Sequence, residues 1–177
     1  MNTTHARVAK SSPLAWLNLA ALFLPGGLGF AAWCALRDDA RLAWLDPRRG
    51  SAHFAVIATA GALATAAGVA DWLHHRRGAR FVGARERQVE LVALAGGGAP
   101  LFLLMGCASL AERPGTFLVP VVALGVATAV AIAYDELSFH RRCSPLETAY
   151  HRALTLGMGV AWLAWMHGVF VARGAHG

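Results

Sequence analysis

The sequence predicts an all-α integral membrane protein, a bundle of about five transmembrane helices. Mean hydropathy is +0.47. Of the 177 residues 56% are hydrophobic and only 15% charged, where a soluble domain carries about 25% charged residues. The charges are also bunched, leaving Leu14–Leu36 and Phe117–Ala133 with none. Crossing about 30 Å of hydrocarbon takes roughly 20 mainly apolar residues. Such stretches use up nearly the whole chain, so residues 1–177 read as a single polytopic membrane domain.

Five spans follow, at about 13–36, 51–75, 88–111, 116–139 and 146–172. The first has Arg7 and Lys10 ahead of it. Its apolar stretch is longer than a signal-peptide core of about 7–15 residues, which predicts a retained helix. Pro13 and Pro145 each follow a serine, Ser12 and Ser144, placing a cap before proline at the first helical position. Pro25-Gly26-Gly27 interrupts the first span and Gly96-Gly97-Gly98 with Pro100 the third. These breaks predict close helix packing through small residues; a half-helix binding site of the transporter kind is the alternative. The fourth span follows a short turn, Glu112-Arg113-Pro114-Gly115.

A formal charge of +6 and a pI near 10.2 could signal nucleic acid. Here the arginines sit in short connectors between apolar runs, a pattern of topology and lipid-headgroup contact. With the N-terminus inside, ten Lys and Arg fall on the inner side, from Arg7 through Arg76, Arg77, Arg80, Arg85 and Arg87 to Arg141, Arg142 and Arg152. Six fall outside: Arg37, Arg41, Arg48, Arg49, Arg113 and Arg173. The bias predicts a cytoplasmic N-terminus and an outside C-terminus; the expected location is the inner (cytoplasmic) membrane of a bacterium.

Alternation of the spans has a chemical consequence. Asp71, His74 and His75 end span two; Glu86 and Glu90 begin span three; Asp135, Glu136 and His140 end span four; Glu147 and His151 begin span five. All should meet at one membrane face, whichever way the bundle is inserted. Asp71/His75, Glu136/His140 and Glu147/His151 are carboxylate–histidine pairs at i, i+4, so each pair shares a helix face. Mixed carboxylate and imidazole donors suit iron, manganese or zinc. The predicted metal set is therefore Asp71, His74, His75, Glu90, Glu136, His140, Glu147 and His151. Ferritin-like di-metal bundles use comparable donors at Glu-x-x-His spacing, which none of these three pairs keeps, and the histidine boxes of membrane fatty-acid desaturases are missing as well.

The same residues admit a plainer reading. Asp71, Asp135 and Glu136 sit near helix C-termini, where the macrodipole disfavours negative charge by about 0.3–1 kcal/mol. The arginines of that face could supply the compensating charge. Ser144-Pro145-Leu146-Glu147 is also a capping box, with Glu147 at its third helical position. Four histidines on that face are what arginine does not explain.

Elsewhere, His53 and His167 should lie near the opposite face, as hydrogen-bonded interfacial histidines, a haem or copper site, or a proton-relay step. The six tryptophans fit mostly as interfacial anchors. Cys34, Cys107 and Cys143 form no CxxC or disulfide pattern, and His5 and His176 fall in chain ends.

The leading functional expectation is a metal-dependent membrane oxidoreductase with a two-iron centre, acting on a lipid or other membrane-soluble substrate. A divalent metal is implied, iron ahead of zinc or manganese; the same donors around zinc would make a hydrolase. The competing expectation is a non-enzymatic helical subunit or assembly factor with a membrane-protein partner or a second copy of itself. A transporter ranks third, because spans one and three carry no mid-span polar residue to bind a solute.

Overall fold

The computed structural model describes residues 13–76, 84–139 and 143–173, with no description of the side chains of 13–15, 18, 19, 76, 84 and 87. Every long element among them is a helix: α1 (Pro13–Leu36), α2 (Ala52–Arg76), α3 (Ala84–Leu91), α4 (Ala99–Leu110), α5 (Leu118–Phe139) and α6 (Pro145–His167). The chain is an all-α membrane bundle. Four helical stretches, Ala52–His75, Gln88–Leu110, Pro114–Phe139 and Pro145–Ala172, are long and apolar enough to cross a membrane. In α1 the stretch with continuously described side chains, Ala20–Leu36, is apolar and shorter. Large apolar side chains such as Leu103, Val119, Leu156 and Leu163 point outward, as expected where the surrounding solvent is hydrocarbon.

Neither predicted break stops its helix. Pro25 lies inside α1, and a Cβ added at Gly26, Gly27 or Gly29 would meet nothing within 4 Å. In the third span the helix widens into a π segment, Val92–Gly98, joining α3 to α4. The Ala99 amide bonds the Leu94 carbonyl, five residues back. Pro100 has no amide to donate and its ring crowds the preceding turn; a wider turn is one of the ways a helix absorbs such an insertion.

The most extensive helix contact joins α2 to α6, which run antiparallel. Small residues allow it. A Cβ on Gly157 would stand 2.8 Å from the Ala60 carbonyl oxygen and 3.0 Å from the Ala64 Cβ. Close approach of backbones is how helices pack where lipid removes the hydrophobic drive between them.

One end of the bundle is built from arginine and aspartate. Asp39 and Asp46 cap two 3-10 turns, Ala40–Leu45 and Pro47–Arg49, in the first connector. Arg41 forms a two-pronged pair with Asp39, through Nε at 2.9 Å and Nη2 at 2.6 Å, and its Nη1 donates to the Leu110 carbonyl at 2.6 Å. Arg173 donates to the Ser109 and Ala111 carbonyls at 2.8 and 2.7 Å. The orphan carbonyls at the end of α4 thus find cationic donors, as helix C-termini favour. The Arg41 hydrogen bonds hold the Asp39 carboxyl below the usual range, at about 2.

Beneath this end, Ala108, Val121, Trp165 and Val169 form a buried cluster, with Trp44 and Trp162 packed on it. Three of the six tryptophans are therefore core residues and not interfacial anchors. Trp165 shows why: its indole N–H donates to Ser109 Oγ at 3.0 Å, so the polar edge is satisfied inside the bundle.

Candidate metal centre

The opposite end gathers the acids and imidazoles. Asp71 and His75 project from the last turns of α2, Glu136 from the end of α5, and Glu147 and His151 from the start of α6. Ser144 sets the start of α6: its Oγ accepts the Glu147 amide at 3.2 Å. That cap places Glu147 one helical turn before His151 on the face turned toward α2.

Asp71 Oδ1 lies at the middle of the group, 3.5 Å from His75 Nε2 and 3.4 Å from His151 Nε2. Glu147 Oε1 is 3.5 Å from the same His75 nitrogen, and the residue is 2% exposed. Glu136 Oε2 meets the other nitrogen of His151, Nδ1, at 3.2 Å. One imidazole thus has its Nδ1 on a carboxylate at the edge of the cluster and its Nε2 turned toward the centre. Asp71 Oδ1 is buried and makes no hydrogen bond, although two ring nitrogens face it.

Asp71, His75 and His151 each offer a donor atom within 4.8 Å of the other two. The remaining predicted ligands sit differently. Glu147 borders the group through His75. Glu136 touches the outward nitrogen of His151, where it orients the ring. His74 is half-buried and packs edge-on against His75 and Tyr150, while Glu90 is half-buried on α3, outside the three-residue group. His140 lies outside the described residues, as do the Arg77, Arg80, Arg141 and Arg142 of the expected arginine face.

Sequence spacing paired residues within helices; the structure pairs several of them between helices. Glu136 of α5 meets His151 of α6, and Glu147 of α6 meets His75 of α2. Which imidazole nitrogen faces inward depends on how each helix is rotated against its neighbours. No spacing rule carries that information.

At the far end of the same two helices, His53 Nε2 and His167 Nδ1 are 2.8 Å apart with rings stacked at 19°. Their nitrogens are hydrogen-bonded to each other. Cys34 and Cys107 are exposed and Cys143 half-buried, and none of the three is in a disulfide.

Comparison with protein-family models, curated proteins and solved structures returns no match. What the chain does has to be read from these side chains.

Proposed function

We propose that the chain is a metal-dependent membrane oxidoreductase that holds iron between α2 and α6 and acts on a lipid or other membrane-soluble substrate. The observation that carries this reading is Asp71 Oδ1, a buried carboxylate oxygen without a hydrogen bond, facing two imidazole nitrogens. Buried polar atoms are nearly always satisfied. A cation shared by the three residues would satisfy all of them at once.

Two histidines and one carboxylate are also the donor set of non-haem iron oxygenases, which leaves coordination positions for oxygen or substrate. Asp71, His75 and His151 would hold the ion, with Glu147 available beside His75. Three or four donors meeting at one point suit one ion better than the two expected from the number of acids. Glu136 would accept a hydrogen bond from the His151 Nδ1–H, fixing the tautomer that leaves Nε2 free to bind. Iron held there would supply oxygen activation. The protein supplies the dry, oriented pocket, and Glu136, whose side chain is 42% exposed, marks the edge at which the cluster opens.

Zinc is the second reading, favoured by the spacing. Donors about 2.1 Å from a tetrahedral ion lie roughly 3.4 Å apart, against about 3.0 Å for neighbouring octahedral donors. The observed 3.4–3.5 Å separations match the former. With zinc the same residues would serve a hydrolase.

Metal analysis of anaerobically purified protein in detergent tests both. Near-stoichiometric iron supports the oxidoreductase; near-stoichiometric zinc supports the hydrolase. Absence of either, in protein with an intact helical spectrum, would return the cluster to an ion-pair network in a non-enzymatic subunit. The arginine count further supports this cluster facing the cytoplasm. Reporter fusions after Arg80 and after Arg142 should then read cytoplasmic, and one at the C-terminus external.

A further inference from the structure

We propose that the groove between α3 and α5 is a binding site for one anionic phospholipid, with Arg85 on the headgroup phosphate and an acyl chain along the groove. The groove has a volume of about 570 Å³ and lies apart from the Asp71 group, so the proposal does not depend on metal.

Its polarity is ordered along the membrane normal. The third span runs away from the cluster end, so Arg85, Gln88, Val89 and Val92 line the groove at increasing depth. Helix α5 runs back toward that end, so Ala127, Val130 and Tyr134 line it at decreasing depth. All three polar side chains therefore sit at the mouth, while the walls below are valine and alanine. Seven residues separate Arg85 from Val92, a depth of roughly 10 Å at 1.5 Å per residue.

The deep end is closed. Gly97, in the π segment, packs so tightly on α5 that a Cβ there would be 2.5 Å from Thr128 Oγ1. The helices touch at that level and leave a blind, lipid-facing slot between it and the interface. Val92 and Val130 are both strongly exposed along it.

Charge selects the occupant. Arg85 is exposed, and among the described residues it makes no hydrogen bond or ion pair. A guanidinium matches phosphate oxygens in pairs, and its uncompensated charge favours a headgroup that is anionic overall.

The test is native mass spectrometry of the delipidated full-length protein, titrated with phosphatidylglycerol or with phosphatidylcholine. One phosphatidylglycerol per chain should bind preferentially. Arg85→Gln should lower its affinity roughly fivefold, the factor one arginine is worth near an anionic surface, and bring it toward that of phosphatidylcholine. Arg152→Gln, an equal charge loss at the same end of the bundle but off the groove, should leave the preference intact. Val130→Trp fills the slot and should weaken both lipids; if it does not fold, Ala131→Leu in the same wall replaces it. The site is overturned if Arg85→Gln keeps the full preference or if Arg152→Gln loses as much. Displacement by inorganic phosphate alone would equally overturn it, since no acyl chain would then be needed.

Discussion

The carboxylate of Glu136 and the Nδ1 of His151, on different helices and fifteen residues apart, lie 3.2 Å from one another. The contact turns His151 Nε2 toward Asp71 Oδ1. In metal proteins a carboxylate behind a histidine ligand typically contributes about 10–100-fold to affinity. Glu136→Ala should therefore weaken metal binding by that factor with the helical spectrum unchanged, measured by chelator competition. Glu136→Gln keeps an acceptor for the ring N–H and should lose much less. Equal affinity in wild type and Glu136→Ala would show that the pair has no orienting role.

Glu147 has two jobs that substitution can separate. Its backbone amide is held by Ser144, and its carboxylate faces His75. Glu147→Gln should keep the fold and lose metal, because an amide is a far weaker ligand than a carboxylate. Ser144→Ala should cost about 1 kcal/mol of stability and keep metal. Full metal occupancy in Glu147→Gln would leave Asp71, His75 and His151 as the whole donor set.

Close packing of α2 on α6 makes Gly157 sensitive and Gly159 not. Gly157→Ala drives a methyl against the Ala60 carbonyl and the Ala64 side chain, an overpacking that typically costs about 1–3 kcal/mol. At Gly159 an added Cβ meets nothing within 4 Å. Gly159→Ala should be neutral or slightly stabilising, since alanine is the better helix former. Thermal unfolding in one detergent compares the two, and equal midpoints would contradict the seam.

Acid should loosen the arginine–aspartate end only at low pH. The folded Asp39 carboxyl titrates at about 2, below its ordinary 3.8, because Arg41 donates to it. A depressed carboxyl stabilises the folded state fully above its unfolded pKa, and that contribution disappears as pH falls through the folded value. Wild type should outlast Asp39→Asn in thermal unfolding above about pH 4 and converge on it near pH 2. A constant gap across that range would assign the difference to something other than ionisation.

Much of this fold is legible before any coordinates. Span positions follow from where charge is missing, and helix alternation alone puts Asp71, His75, Glu136, Glu147 and His151 at one end. Ser144 reads correctly as a cap because capping is a local hydrogen bond. Three features are not local and were not legible. Rotation of α5 against α6 decides that Glu136 serves His151. Gly96-Gly97-Gly98 with Pro100 reads as a break because glycine and proline are poor helix formers, yet neighbouring helices hold the segment in a π turn. Trp165 reads as an anchor because nothing in the sequence reveals that Ser109, 56 residues away, accepts its N–H.

The central triad is drawn from two helices far apart in the chain: Asp71 and His75 come from α2, and His151 from α6, which is made later. Until α6 has entered the bilayer and settled its glycine against Ala60 and Ala64, Asp71 of α2 has no imidazole from α6 to face. Occupation of the cluster, whether by an ion or by a shared proton, would therefore have to follow the docking of α6 on α2. A chain truncated before α6 would hold Asp71 and His75 and nothing to complete them, so a filled site would mark a chain in which α2 and α6 have met.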